Sequence, residues 1–179
     1  GREYTRLSDR FLGQDKEYTA TLKLGESTNT YDCEGVTVET SALIPTLEEI
    51  QRALKAFQGT IQQLPPMFSA KKVQGKKLYE LARKGIEIER QPSSVKISTE
   101  ILSYEYPYLK LHVSCSKGTY IRSLAQDLGS ALGCYAHLSE LLRTRSGAFH
   151  LNQCTELESI SKDALPPFLS IDQLAIDNI

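Results

Sequence analysis

The chain has 179 residues, of which 40% are apolar and 24% are charged, and its formal net charge at pH 7 is −1. This composition is typical of one globular domain, and the near-zero charge gives no overall sign of a nucleic-acid partner. No apolar run approaches the roughly 18 residues of a membrane span, and no signal segment opens the chain, so we expect a cytoplasmic protein without a membrane partner. Its four cysteines form no CxxC pair, which fits a reducing compartment.

The first forty residues predict a helix, a strand, a turn and a second strand. Leu7, Phe11 and Leu12 favour a helix within residues 1–13. Residues 18–24 (YTATLKL) alternate apolar with polar side chains and are rich in strand formers. The Asn, Asp and Gly of residues 28–35 (TNTYDCEG) are typical of a turn, from which residues 36–38 return as a short strand.

The next element is predicted to be a helix. Thr46 and Glu49 have the Thr-x-x-Glu spacing of a capping box, in which each side chain bonds the backbone of the other. Ile50 and Leu54 then recur on one face, and Gly59 is the predicted end of the helix.

Residues 65–90 form a segment that we name the basic insertion. Pro65 and Pro66 exclude regular structure at its start, residues 67–71 are expected to be extended, and residues 77–84 predict a short helix that is thinly buried. Seven of its side chains are cationic against three acidic ones, and those that matter below are Lys71, Lys76, Lys77, Arg83 and Lys84. A basic surface element can contact phosphate, although a solvated loop without a role is the alternative at this point.

Two strands and a helix follow, and they meet at the most informative position of the chain. Residues 95–104 and 108–116 predict antiparallel strands joined at Pro107. Gly118 permits a tight turn, and Thr119 is the expected N-cap of a helix with one apolar stripe. Tyr120 and Arg122 would then lie at the helix N-terminus, off the stripe, where backbone N–H groups suit an anion.

The remainder of the chain predicts smaller elements. Leu138, Leu141 and Leu142 favour a second helix over residues 134–143. A short strand over residues 147–151, a helical turn near 156–160 and a break at residues 166–167 are expected after it.

One cluster has the spacing of a zinc site. His112-x-x-Cys115 and Cys134-x-x-His137 are separated by about the usual interval for paired ligands. Residues three apart on a strand point to opposite faces, however, so His112 and Cys115 cannot share one ion. We therefore expect no metal, and Cys115 is more simply a core residue. Hydrolase, metalloprotease, dinucleotide and nucleoside triphosphate motifs are absent from the sequence.

Four blocks of the sequence resemble the tRNA pseudouridine-55 synthases of the TruB family. They are DKEY (15–18) followed by TNTYDCEG (28–35), LPPMFSAKKVQGKKLYELARKG (64–85), CSKGTYIRSLAQDLGSALG (115–133) and AHLSELLRTRSGAF (136–149). The blocks are long, keep the family's order and cover the chain from about Thr5 to Phe149. Asn29 replaces the usual Asp of the turn, and Leu142 stands where the family has the first Arg of Leu-Arg-Arg. The family's nucleophile lies in a Gly-x-Leu-Asp-Pro motif, which this sequence does not contain, so residue 1 is expected to fall inside the synthase domain.

The resemblance implies an α+β fold, in which helices flank a mixed, largely antiparallel sheet with a basic insertion. Residues 1–151 would be part of the catalytic domain, with residues 65–90 as its RNA-gripping insertion and residues 152–179 as a C-terminal extension. The implied reaction turns a T-loop uridine of tRNA into pseudouridine, without metal or redox cofactor, by a monomer acting on a flipped-out base.

The resemblance also implies roles for single residues. Tyr18 would stack on the flipped base, and Tyr120 would lie by C5 for removal of its proton. Arg122 would pair with the nucleophilic aspartate, and Leu141 would form an apolar wall. Asp15, Asp32 and Asp127 are the candidates to replace the nucleophile, and a catalytically inert RNA-binding chain is the alternative function.

Overall fold

The computed structural model describes residues 2–6, 11–73 and 75–160. The helices are α1 (Arg2–Arg6), α2 (Leu47–Leu54), α3 (Leu78–Ala82) and α4 (Ile121–Leu132). The strands are β1 (Lys16–Leu24), β2 (Glu26–Thr28), β3 (Thr37–Thr40), β4 (Gly59–Gln63), β5 (Lys72–Val73), β6 (Lys76–Lys77), β7 (Ser93–Glu105), β8 (Tyr108–Cys115), β9 (Ala136–Ser146) and β10 (Phe149–His150). Single 3₁₀ turns cover Lys55–Phe57, Leu151–Gln153 and Leu157–Ser159.

Six of the strands form one sheet in the order β10-β9-β1-β8-β7-β4. Every described neighbour pair in this sheet is antiparallel. A single parallel bridge joins Asp32 to Leu138, and β2–β3 and β5–β6 form separate hairpins. The predicted α+β class with a largely antiparallel sheet is therefore confirmed.

The core lies between one face of this sheet and helices α2 and α4. The alternation in β1 and β8 places Leu22 and Leu111 on that face, where both are fully buried. Leu124 and Leu128 of α4 are also fully buried, as the helical spacing of the apolar stripe predicts. Each such leucine contributes roughly 1.5–3 kcal/mol by leaving water, so this layer fixes the position of α4 on the sheet.

Gly129 of α4 allows the helix to approach the sheet closely. A Cβ added at this position would clash with the backbone nitrogen of Ala136. The helix then ends at Gly133, which has a left-handed φ of 71°. The chain therefore turns at once from α4 into β9.

The prediction of a helix over residues 134–143 is wrong, because most of this stretch belongs to strand β9, which lies next to the edge strand β10. The register of β9 against β1 shifts twice, so that Leu138 pairs with Leu22, Leu141 with Ala20 and Arg143 with Tyr18. The shift near Leu22 leaves Ser139 as an extra residue, and a second shift leaves Thr144. A bulge changes the spacing of same-face residues from two to three, which imitates the helical spacing of the leucines.

Several smaller predictions also need correction. The helix predicted to end at Gly59 ends at Leu54 and continues as a 3₁₀ turn, and Gly59, with φ of 79°, opens the unpredicted strand β4. Residues 67–70 bend instead of running extended. The strands around residues 18–24, 95–104 and 108–116 are confirmed, and the short helix of the basic insertion is Leu78–Ala82. Leu7, Pro166 and Pro167 lie outside the described residues.

The predicted opposition of His112 and Cys115 on β8 is confirmed, because Cys115 is buried on the core face while His112 lies on the other face near Glu17. Within the described ranges, no group of three or more His, Cys, Asp or Glu side chains is placed to hold a metal ion. No helix in the same ranges is long and apolar enough to cross a bilayer.

Candidate active site

Residues 116–122, which we call the corner, connect β8 to α4. Gly118 has φ of 82°, which the absence of a Cβ permits. Thr119 is not the N-cap that the sequence predicted, because its hydroxyl donates to the carbonyl of Ser116 at 2.9 Å. Tyr120 occupies the N-cap position, with no side-chain cap of its own. The corner is thus closed by an internal turn.

Gln63, at the end of β4, holds the backbone of the N-cap residue Tyr120 from both sides. The Tyr120 N–H donates to Oε1 of Gln63 at 2.8 Å, and Nε2 of Gln63 donates to the Tyr120 carbonyl at 3.0 Å. Gln63 is 1% exposed, so both bonds are shielded from water. Sequence reasoning missed this residue, because a glutamine 57 positions away leaves no periodic signal. Gln63 fixes the backbone from which the Tyr120 side chain extends.

Arg122 is held by three acceptors on two different loops. Its Nη1 donates to Oδ2 of Asp32 at 2.9 Å and lies 3.4 Å from the Thr30 carbonyl. Its Nη2 donates to the Phe68 carbonyl at 2.8 Å. The Asp32 carboxylate is thus bound by the Arg122 side chain, and among the described residues no hydrogen bond joins it to the backbone N–H groups of this helix N-terminus, which the sequence predicted to suit an anion. Arg122 therefore joins the turn at residues 28–35 to the start of the basic insertion.

Asp32 is itself fixed from several sides. Its Oδ1 accepts from the Thr30 hydroxyl at 2.6 Å and from the Glu34 N–H at 3.2 Å. The surrounding turn docks on β9, since the Leu138 N–H donates to the Tyr31 carbonyl at 2.9 Å. These bonds use both carboxylate oxygens of Asp32. The carboxylate is consequently an orienting group for Arg122.

An open cleft of about 390 Å³ lies between the corner and the basic insertion. Tyr120, Arg122 and Asp32 line one wall. Tyr79 and Arg83 line the other wall. The cleft therefore places an aromatic ring and a cation from the insertion opposite the corner.

Tyr18 and Leu141 lie on the sheet beside this cleft and not among the residues that line it. The Tyr18 ring is only 9% exposed, and the Arg143 guanidinium lies over it, 5.7 Å from its centroid. Burial raises the pKa of Tyr18, against an opposing effect of Arg143. Tyr18 pairs with Val113 of β8, three residues before the corner begins at Ser116. Leu141 follows on β9 and is 47% exposed.

The five predicted RNA-binding cations differ in how they are held. The Lys71 ammonium donates to the Ser93 hydroxyl at 2.7 Å. Lys77 and Arg83 both lie over the Tyr79 ring, 5.4 and 5.5 Å from its centroid. Lys76 and Lys84 are exposed. Within the part of the chain that the structure describes, none of the five forms an ion pair with a carboxylate.

The two other candidate aspartates lie away from Arg122. Asp127 is on α4, more than one turn past Tyr120, and burial raises its pKa from 3.8 to about 6. Asp15 is exposed beside a small hollow that Lys96 and Arg145 also line. Of the three candidates, Asp32 alone contacts the predicted site.

Two family models match adjoining parts of the chain, and curated relatives match most of its length. The family model described as TruB family pseudouridylate synthase (N terminal domain) matches residues 2–121, and the model of the tRNA pseudouridylate synthase B C-terminal domain matches residues 122–166. The chain is 65% identical over 154 residues to a tRNA pseudouridine synthase B of Protochlamydia amoebophila, covering 86% of this chain and 59% of that protein. The counterpart from Chlamydia abortus is 59% identical over 156 residues, covering 87% of this chain and 66% of that protein.

Solved structures show the same likeness at lower identity. A crystal structure of a Cbf5–Nop10–Gar1 complex matches with a TM-score of 0.60 and 31% identity, over 83% of this chain and 35% of that one. An H/ACA RNP bound to a substrate RNA containing 2′-deoxyuridine matches with a TM-score of 0.55 and 28% identity, over 83% of this chain and 33% of that one. The chain spans about three fifths of the length of the curated relatives above.

Proposed function

The chain belongs to the TruB family of pseudouridylate synthases, and from this membership we propose that it forms the larger part of an enzyme that isomerises a T-loop uridine of tRNA to pseudouridine. The observation that carries the proposal is the corner itself. Tyr120 and Arg122 are fixed at the edge of an open cleft by Gln63 and Asp32, and a basic insertion forms the opposite wall. Such rigid placement is what a reaction on one base requires, since a misplacement of about 1 Å can cost roughly 100-fold in rate.

The reaction breaks the N-glycosidic bond, turns the uracil and rejoins it through C5. The base must first leave its stack, which costs a few kcal/mol. In this proposal Tyr18 stacks on the flipped uracil and offsets roughly 1–3 kcal/mol of that cost. Tyr120 lies by C5 to receive its proton, and the exposed Leu141 provides an apolar wall.

The nucleophile is proposed to come from outside these 179 residues. None of the three candidate aspartates suits this role, because Asp32 uses both oxygens to hold Arg122 and the turn, while Asp15 and Asp127 lie away from Arg122. The family's Gly-x-Leu-Asp-Pro motif does not occur in the sequence. We therefore propose that residues 1–179 alone do not turn over uridine.

The partner in this proposal is the T-loop and stem of tRNA, bound by a monomer in the cytoplasm. The five predicted RNA-binding cations of the basic insertion form no ion pair with a carboxylate among the described residues, so their charge is available to phosphates. RNA binding without catalysis is the second candidate function for the chain by itself. It is favoured because Asp32, which provides the carboxylate that Arg122 contacts within the described ranges, has both oxygens in hydrogen bonds.

Tritium release from C5-labelled T-loop RNA tests the proposal. We expect no release by residues 1–179 above the background without protein, and rapid release by a version extended upstream with a Gly-x-Leu-Asp-Pro segment. The extended version with that aspartate changed to Asn is the matched control, and it should be as inactive as the short chain. Equal rates for the short and extended chains would contradict the proposal, and Asp15→Asn, Asp32→Asn and Asp127→Asn would then identify the nucleophile.

A further inference from the structure

Three arginines lie around the corner and the adjoining sheet, and they differ in what balances their charge. Arg122 donates to Asp32 at 2.9 Å, and Nε of Arg145 lies 2.8 Å from a carboxylate oxygen of Glu17. Arg143 has no carboxylate partner among the residues that the structure describes. Its guanidinium instead lies over the Tyr18 ring, 5.7 Å from the ring centroid.

The backbone of β9 places Arg143 in this position. Arg143 pairs directly with Tyr18 across the strands, so both side chains leave the same face of the sheet. The bulge at Thr144 then shifts the register, and Arg145 pairs with Glu17. An uninterrupted alternation would have given Arg143 and Arg145 the same face. The bulge therefore places Arg143, which has no carboxylate partner among the described residues, and Arg145, which pairs with Glu17, on different faces.

The burial of Tyr18 conflicts with its proposed role in stacking. Only 9% of the residue is exposed, so little of its ring is open to a flipped base. Arg143 lies over the ring and is itself exposed, so it can move away without disturbing the core. A cation–π contact at an exposed site is weaker than the stacking of a base on an aromatic ring. Replacing the guanidinium by uracil is therefore favourable.

The displaced guanidinium then needs an anion, and the flipped nucleotide brings one on its own backbone. We propose that Arg143 is a phosphate-binding residue of the site, which leaves the Tyr18 ring to the flipped uracil and binds a phosphodiester beside that nucleotide. The planar fork of arginine matches two phosphate oxygens at once, which a lysine ammonium does not. This inference rests on the proposed function, because it requires the T-loop RNA to be the ligand.

The first experiment measures binding of a T-loop stem–loop RNA to the 179-residue chain as a function of salt. Arg143→Gln should weaken binding about 5- to 10-fold and lower the slope of log K against log salt by about one. Arg143→Lys should recover the slope but only part of the affinity. Arg52→Gln is the matched control, because it removes one exposed charge from the far helix α2. It should change neither quantity.

The second experiment asks whether Arg143 contacts one particular phosphate. Single methylphosphonates, which remove the charge of one phosphate, are placed along the loop. One position next to the target uridine should weaken binding by the wild-type chain and have no further effect on Arg143→Gln. Equal profiles for the two chains, or equal affinities for Arg143→Gln and Arg52→Gln, would overturn the inference alone. Wild-type binding no tighter to the T-loop RNA than to an unrelated hairpin would overturn the proposed function as well.

Discussion

The two walls of the cleft are both polar, but they use their hydrogen-bonding groups differently. In the corner, the Tyr120 peptide is bonded to Gln63, and the Arg122 guanidinium has three protein acceptors. In the basic insertion, Lys76 and Lys84 extend into solvent, and Lys77 and Arg83 contact only an aromatic ring and its hydroxyl. Under the proposed function, the corner fixes the orientation of its side chains, and the insertion offers its cations to a ligand that carries negative charge.

The largest expected effect comes from removing the charge of the insertion. Changing Lys71, Lys76, Lys77, Arg83 and Lys84 together to Gln should weaken binding of T-loop RNA by about 100-fold or more at moderate salt, because five fewer counterions are released. The salt slope should fall by about 3.5–4.5 if all five contact phosphates. The free energy of unfolding should change by less than about 1 kcal/mol, since these side chains lie on the surface.

The control replaces five exposed cations elsewhere on the chain, namely Arg2, Arg52, Lys55, Lys96 and Lys110. Filter binding and urea titration serve for both variants. An equal loss of slope in the two would mean that the RNA responds to net charge alone, and the contrast between the walls would not hold.

A smaller effect, on folding instead of binding, is expected at the other wall. Gln63→Leu leaves the N–H of Tyr120 without a partner, while its carbonyl still accepts from the Leu124 N–H at 3.2 Å. One unsatisfied buried group costs about 1–3 kcal/mol, so we expect a loss of about 1–3 kcal/mol in the free energy of unfolding, measured in urea. The neighbouring Gln62 is exposed, so Gln62→Leu is the matched control and should cost under about 0.5 kcal/mol. Similar losses for both variants would contradict the assignment of Gln63 as the residue that holds the Tyr120 backbone.

The smallest expected effect is a pH-dependent change in stability at Asp127, on α4. Unlike the polar groups of the corner, its carboxyl has no hydrogen-bond or charge partner among the described residues. Burial raises its pKa from 3.8 to about 6, so between these values the folded chain retains a proton that the unfolded chain has lost. The free energy of unfolding therefore falls as pH rises through this window.

Asp127→Asn cannot ionise, so it should be about 1–2 kcal/mol more stable than wild type at pH 7.5 and no more stable below pH 4. Urea titrations at both pH values measure this difference. Asp15→Asn, at an exposed position, is the control. A stability gain that is the same at both pH values would show that ionisation of Asp127 is not its cause.

The parts of the fold that sequence could predict are those whose signal is local. The alternation of β1 and β8, the capping box at Thr46 and Glu49, and the apolar stripe of α4 each require only neighbouring residues. Resemblance to a family added Tyr18 and Leu141, which no periodicity would have selected.

The parts that could not be predicted depend on contacts between distant segments. Gln63 holds the Tyr120 backbone from another strand, and the Asp32–Arg122 pair spans 90 positions. In β9 the extra residues Ser139 and Thr144 are recognisable only from the register of β1, so a helix was the simpler interpretation of the leucines. Tertiary pairing overrode the local pattern in that strand.

Three main-chain carbonyls around the start of the basic insertion accept hydrogen bonds from side chains. The Leu64 carbonyl accepts from the Ser123 hydroxyl, the Pro65 carbonyl from Arg90 and the Phe68 carbonyl from Arg122. A carbonyl is common to all twenty amino acids, so substitutions of Leu64 or Phe68 leave these acceptors in place. Mutational drift can therefore alter these two side chains, neither of which is buried, while the three bonds persist, whereas the buried Pro65 and Pro66 are constrained by packing.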